Sequence, residues 1–297
     1  MKIRINNIFR YKRPYNSKEN KKKNVDGFPN YFYSFKVRST KKILTDSGNT
    51  GRPSVKAVDG YRNPLITILT TPQKVGSEET PWQDVVNTDM GYLRYFGDNK
   101  SEGKPELAKG NKILLEQREL HAHLGKDKRE KSVPLLIFEN YKHQKKRKGY
   151  RKFLGFGLIK EVKLVSQIDK NGKSFSNYSF DIAVLKLVNE NEELNWQWII
   201  DRHDQSLSLK DTLKHAPKSW KEFVSKGPSS IERNTRRITE LLVHKKEKQM
   251  PLAGTKENKC LKEIYFFYRN KKHRFELLAS YVAKSILKVE NCNYIDG

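Results

Sequence analysis

Cysteine is nearly absent. Cys260 and Cys292 are the only two in 297 residues, which excludes a disulfide framework, and their spacing fits no metal knuckle. A reducing, cytoplasmic setting suits that scarcity. No run of about 18 apolar residues occurs, so no membrane span is expected. The opening MKIRINNIFRYKR lacks the apolar centre of a secretory signal. No glycine-rich phosphate loop and no Cys–His nucleophile pair is found, and the seven His form no metal pattern. His121 and His123, two apart on an expected helix, would sit on different faces. Acid is scarce as well: 34 Asp and Glu face 60 Lys and Arg, a net charge of +26. Such a surplus attracts polyanions, and counterion release from nucleic acid is its usual outlet. An anionic membrane surface is the competing outlet. A lysine-rich drift of an AT-rich genome would give the same composition with no partner at all.

At 297 residues, 36% hydrophobic and 11% aromatic, one large or two medium domains with a real core are expected. Residues 1–53 read as a basic N-terminal extension. Its lysine run Asn16–Asn24 is a solvated segment by composition, able to touch phosphates without sequence preference or serving solubility alone; Asn30–Arg38 alternates as a strand. From Ser54 the pattern is β-rich: strands are expected at Pro64–Thr71, Val133–Tyr141, Tyr150–Ile159, Glu161–Gln167 and Tyr178–Val188. The spacer KHQKKRKG reads as a basic hairpin tip. One helix, Asn111–Ala122, interrupts, with Ile113, Leu114, Arg118 and His121 in line. From Trp196 helices take over: Ala216–Gly227 with Pro217 at its start and Gly227 past its end, a helix beginning at Ser230 with Ile231, Ile238, Leu241 and Leu242 on one face, and His273–Leu287. The fold class is α+β, a twisted β-barrel or crescent followed by a smaller helical part.

The chain is centred on Thr80–Lys100, TPWQDVVNTDMGYLRYFGDNK. A loop, a turn through Thr88–Gly91 and a strand Tyr92–Tyr95 breaking at Gly97-Asp98 are expected. Flat rings, carboxylates and flexible backbone together are what a site needs to extrude a nucleobase and read its edge. Equally, a loop can bury such rings in the core.

Six segments occur in a fixed order: Val58–Trp82 (VDGYRNPLITILTTPQKVGSEETPW), Tyr95–Lys100 (YFGDNK), Gly110–Glu116 (GNKILLE), Val133–Glu139 (VPLLIFE), Phe153–Ile159 (FLGFGLI) and Phe275–Val282 (FELLASYV). Together they resemble the N-terminal half of modification-dependent restriction endonucleases typified by AspBHI, relatives of MspJI. The resemblance covers roughly Ser54–Gly297. It implies an SRA-like domain, placed at 54–205, that binds double-stranded DNA and flips 5-methylcytosine or 5-hydroxymethylcytosine into a pocket. It implies that 206–297 is a helical connector and the start of a nuclease domain of the PD-(D/E)xK type. In that family a catalytic strand follows the FELLA helix. Here the sequence stops at Asp296-Gly297, so no catalytic or metal residue is assigned and Mg²⁺ is expected only with the missing nuclease part. The function expected is recognition of modified DNA in a restriction enzyme defending against foreign DNA; a homo-oligomer of the full-length enzyme stays open.

Within that frame the expected pocket is Trp82, Asp84, Tyr92, Tyr95, Phe96 and Asp98. Stacking on rings is worth roughly 1–3 kcal/mol per base. Strand alternation sets Tyr92 and Tyr95 on opposite faces. Asp98, or else Asp84, accepts from the cytosine N4 amino group, and Asp98 alternatively steadies the turn after Gly97. Expected DNA-backbone contacts are Arg62, Lys74, Arg94, Asn99, Lys100, Lys145, Lys146, Arg147 and Lys148. Two other readings compete. Glu161-Val-Lys163 is half of a nuclease motif that Asp181 would complete, and on the other reading the pocket serves another mark, such as phosphorothioate or a glucosylated base.

Overall fold

The structure, a computed structural model, describes residues 1–11, 18–37, 43–45, 54–71, 84–143, 149–169, 171–238 and 251–287. The chain forms two compact units, Met1–Leu241 and Leu242–Gly297. Its strands are β1 (Lys2–Arg4), β2 (Ile8–Arg10), β3 (Asn24–Val25), β4 (Phe28–Pro29), β5 (Val55–Ala57), β6 (Gly60–Arg62), β7 (Ile66–Thr70), β8 (Val85–Asn87), β9 (Tyr92–Phe96), β10 (Leu135–Asn140), β11 (Tyr150–Ile168), β12 (Ser174–Val184) and β13 (Glu193–Asn195). Its helices are α1 (Tyr31–Ser34), α2 (Lys109–Ala122), α3 (Lys126–Glu130), α4 (Gln197–His203), α5 (Leu209–Thr212), α6 (Lys218–Lys226), α7 (Ile231–Asn234), α8 (Lys256–Tyr268) and α9 (Lys272–Leu287).

The first unit is α+β. Among the described residues its main sheet has seven strands in the order β7-β10-β11-β12-β9-β8, with β2 paired to the start of β11. β7 and β10 run parallel, and the other pairs are antiparallel. The sheet curls into a half-barrel. The expected strands Tyr150–Ile159 and Glu161–Gln167 are one 19-residue strand, β11. It carries two bulges, and the second falls at the break between the two expected strands. Ile137 pairs with Gly155 and Phe138 with Phe153, which leaves Leu154 over. Ile159 pairs with Ile182 and Glu161 with Asp181, which leaves Lys160 over. Each extra residue shifts the side-chain alternation and bends the strand. Gly155, at φ +122, adopts a conformation that side chains resist.

Both faces of the β10–β11 region are buried. Phe138, Phe153, Phe156 and Leu158 join a first core with Trp196, Trp198, Trp220 and Phe223. Leu135, Ile137, Leu154, Ile159, Phe180 and Ile182 join a second with Leu93 and Leu114 of α2. The span read as an N-terminal extension, 1–53, feeds the first core: β1 pairs with β13, and Ile3, Ile5, Phe9, Tyr31, Phe32 and Phe35 are buried there. The described part of the expected strand Asn30–Arg38, up to Val37, is not a strand. Asn30 caps a short helix by accepting from the Phe32 amide at 3.1 Å, which lets three neighbouring rings turn inward together.

α6 starts after Pro217 and ends before Gly227, as its sequence suggests. The helix expected from Ser230 stops at Asn234. The chain then runs extended, with Arg236 donating its amide to Val184 and Ile238 donating to Asp89; residues 239–242 lie outside those described. In the second unit α8 is capped by Thr255, whose hydroxyl accepts from the Asn258 amide at 3.2 Å, so the segment read as a linker to Lys259 is helical from Lys256.

The turn before β9 depends on Gly91. Its φ is +63, and a Cβ there would overlap the Arg236 carbonyl oxygen and the Thr235 methyl. Gly91→Ala should lower stability by about 2 kcal/mol, from left-handed strain plus the clash. Urea unfolding would measure it, and an unchanged midpoint would remove the turn's assigned role.

Candidate nucleic-acid interface

The register of three strands sets out one part-exposed sheet face in rows. Leu158, Ala183 and Tyr92 lie opposite one another; then Glu161, Asp181 and Arg94; then Lys163, Ser179 and Phe96. Residues directly opposite share a face. The first row abuts the buried core, and the later rows carry polar groups. At the centre Arg94 forks onto Asp181, Nε to Oδ1 at 2.7 Å and Nη2 to Oδ2 at 3.0 Å. The Tyr92 hydroxyl donates to Oδ1 at 2.9 Å, and the guanidinium lies 5.8 Å from the Tyr92 ring centre. Burial would raise the Asp181 carboxyl, but the hydrogen bonds from Arg94 and Tyr92 outweigh it and hold it below its ordinary range. Burial and then the Asp181 hydrogen bond push the Tyr92 phenol up to about 12. The Asp181 hydrogen bond also raises the Arg94 guanidinium. All three therefore keep fixed protonation states near neutrality.

Of the expected pocket, Tyr92 and Phe96 share this face. Tyr95 is on the other, against the second core. Asp84 clamps two strands: Oδ2 accepts from the Thr70 hydroxyl at 2.8 Å and Oδ1 from the Phe96 amide at 3.1 Å. Asp98 is a helix cap brought from outside the helix. Oδ2 accepts from the Gly110 amide at 2.8 Å and Oδ1 from the Asn111 amide at 3.1 Å, while Asn111 Oδ1 accepts from the Asp98 amide at 3.0 Å. The helix start has no side-chain cap of its own, so a carboxylate there satisfies orphan amides and opposes the helix dipole. Trp82, Lys74, Lys145, Lys146, Arg147 and Lys148 lie outside the described residues.

Of the expected phosphate contacts, Arg62 is an internal strut. It is 7% exposed and donates to the carbonyls of Arg202, Asp204 and Leu207 and to Asp59. Asn99 is spent on the Ser101 and Ser176 carbonyls. Lys100 is exposed. Asp181 was read only as part of a nuclease half-motif, and Ser179 not at all; the signal for them was the alternation of Tyr178–Val188 opposite Tyr92–Tyr95.

The fold does bring Glu161, Lys163 and Asp181 together. Lys163 pairs with Glu161 at 3.1 Å and Arg94 occupies Asp181. Two protein cations thus fill the place a divalent ion would need, and no group of three acidic, His or Cys side chains fit for a metal exists among the described residues. His121 is fully buried, pushed down to about 3 by burial, and its Nδ1 accepts from the Ile159 amide. His123 Nδ1 accepts from the Gly125 amide.

Asp98→Ala should cost about 1 kcal/mol of stability, the usual worth of a cap, read as a lower urea midpoint; no shift would show the cap to be dispensable. Asp181 gives a pH test. Because its folded value is depressed, its contribution is complete above the unfolded value of about 3.9 and drains away as pH falls through the lower folded value. The stability gap between wild type and Asp181→Asn, about 1 kcal/mol for a part-exposed pair, should stay level from about pH 8 to 5 and narrow below about 4. A gap that widens in acid would contradict the assignment.

The restriction endonuclease AspBHI N-terminal family model matches residues 12–233. No curated protein sequence matches the chain. A solved structure of MspJI restriction endonuclease in complex with a 27-mer oligonucleotide is similar, with 32% identity and a TM-score of 0.68, over 97% of this chain and 65% of that one. This chain therefore spans 65% of the MspJI chain's length. The DNA recognition domain of the cytosine modification-dependent restriction endonuclease LpnPI superposes with a TM-score of 0.50 at 19% identity, over 76% of this chain and 88% of that one. The fold is thus the SRA-like one of such recognition domains. With three quarters of its residues inside the family model, the chain belongs to the restriction endonuclease AspBHI N-terminal family.

Proposed function

We propose that the chain binds double-stranded DNA and inspects a flipped modified cytosine, 5-methyl or 5-hydroxymethyl, at the Tyr92–Arg94–Phe96 face, as the recognition part of a restriction endonuclease acting on foreign modified DNA. The observation that carries this reading is the similarity along 97% of the chain to an endonuclease captured with an oligonucleotide. The chemistry of the face agrees with it. A cytosine edge offers the N4 donor and the N3 and O2 acceptors. Arg94 keeps Nη1 without a partner among the described residues, and carboxylate lone pairs lie beside it on Asp181 and Glu161. Tyr92 and Phe96 are four residues apart, about 13 Å along a strand, so they cannot clamp one base between them. One of them supplies a single ring, and the opposing ring comes from another segment, for which Trp82 remains the candidate. Lys100 and the lysines of Lys145–Lys148 serve the phosphates with Arg147. Mg²⁺ belongs, on this reading, to a nuclease part beyond this face.

The test is a binding panel at fixed salt with unmodified, 5-methylcytosine, 5-hydroxymethylcytosine and phosphorothioate duplexes. Wild type should favour a modified cytosine by about tenfold or more, given that a methyl contact is worth about 1–3 kcal/mol. Arg94→Ala should lose the preference and keep weak, salt-sensitive binding. Equal affinity for all duplexes would defeat the reading, and preference for phosphorothioate alone would replace the mark. Incubating the chain with Mg²⁺ and methylated duplex should give no cutting; cleavage would favour a nuclease within the chain.

A further inference from the structure

We propose that a second anion site, sharing no residue with the sheet face, takes a nucleotide phosphate. It is a cavity of about 1260 Å³ whose wall carries Lys2, Lys21, Lys23 and Lys36. No Asp or Glu lines it. Lys2 is matched by Glu193 at 3.2 Å, whereas Lys21, Lys23 and Lys36 have no carboxylate partner among the described residues. Asp26, the acid nearest them in sequence after the lysine run, is held by Arg10 at 2.7 Å. The lysines are not on a loose tail. Buried Asn30 donates its amide to the Lys23 carbonyl at 2.9 Å and its side-chain Nδ2 to the Lys22 carbonyl at 2.9 Å, which pins the run against the cavity. Three like charges lining one cavity repel, and a bound anion relieves that repulsion.

The rest of the lining suits a planar ring attached to the anion. Phe9 and Trp196 are among the lining residues and almost wholly buried, and Tyr33 stands 46% exposed beside them. A ring stacked on Tyr33 with its phosphate among the lysines uses both halves of the lining. The volume exceeds the usual 300–1,000 Å³ of a small-molecule site, so a nucleotide with a flanking phosphate fits. The shared chemistry is a nucleotide phosphate, either free or within a single strand. Duplex recognition at the sheet face plays no part in the inference.

The experiment measures fluorescence anisotropy of a labelled thymidine hexanucleotide on the full chain at low salt, with competition by a nucleoside triphosphate. Saturable binding is expected. The Lys21→Glu/Lys23→Glu/Lys36→Glu variant should bind at least tenfold more weakly and Tyr33→Ala severalfold more weakly. A charge-matched control, Lys109→Glu/Lys112→Glu/Lys128→Glu, on exposed positions of α2 and α3, should stay near wild type, as should Arg94→Ala. Competition by the triphosphate marks a free nucleotide as sufficient, and its failure marks the strand; both support the site. No binding by wild type, or equal losses in the two triple variants while circular dichroism shows both folded, would overturn it. Loss of duplex preference in Arg94→Ala alone concerns the sheet face, so the two readings fail separately.

Discussion

The passage of β11 from a two-sided core to an open surface is the constraint on which the rest of the first unit depends. From Phe153 to Ile159 every side chain of the strand is buried. Burying apolar surface at about 25 cal/mol per Å² is the dominant favourable term here, and it fixes which residues face which core. At Lys160 the strand bulges, and one step later the same sheet face carries Glu161, Asp181 and Arg94 in place of Leu158 and Ala183. The bulge therefore sets the boundary between core and site. A strand without it would set Lys160 opposite Asp181 and turn Glu161 to the other face, because a slip of one residue exchanges the faces.

Basic residues divide by type in this molecule. The buried ones among the described residues are all arginines: Arg62, Arg129, Arg151, Arg202 and Arg236. Each works through the planar fork that lysine lacks. Arg202 reaches the Pro64 and Ser132 carbonyls, Arg129 gathers the carbonyls that end α6, and Arg151 lies 3.7 Å from the Tyr11 ring centre and 4.3 Å from that of Tyr31. Burial lowers the Arg202 guanidinium to about 9, still charged near neutrality. The net charge of +26 therefore overstates what the surface offers to a polyanion. On the proposed reading the grip on phosphates falls to lysines, which act as point charges without sequence preference.

The strands around the site were legible because Ile66–Thr70 and Leu135–Asn140 are short, largely apolar runs of the kind a strand buried on both faces needs, because Tyr92–Phe96 sets Leu93 and Tyr95 on one face, and because the Asn87–Gly91 turn has the residues its backbone demands. The roles of single residues were less so. Nothing in YFGDNK says that Asp98 meets the amides of Gly110 and Asn111, because that contact is made by the fold and not by neighbours in sequence. Arg62, expected at the DNA backbone, follows Tyr61, which is 79% exposed, but its own guanidinium is taken by the Arg202, Asp204 and Leu207 carbonyls. The Asn30–Arg38 strand failed where Asn30 offered a cap and the core could take three rings on one side. In each case a tertiary partner outweighed local propensity.

If the face receives a base as proposed, its Arg–Asp pair would serve recognition without serving affinity. A part-exposed ion pair adds little to stability, and here its two charges cancel, so the centre of the face draws DNA no better than a neutral surface would. What the fork supplies is orientation. Asp181 holds Arg94 by two atoms and Tyr92 by a third hydrogen bond, which leaves Nη1 as a donor in a fixed direction. Such a group need not reorganise when a base edge arrives, and the entropy cost of ordering it is already met by the fold. A base that presents no acceptor there leaves the donor desolvated and unpaired, a penalty of about 1–3 kcal/mol, comparable to the gain from a correct contact. On the proposed reading, discrimination at this face would arise from hydrogen bonds that a wrong base fails to complete, and the lysines elsewhere would determine only how long any base is available to be tested.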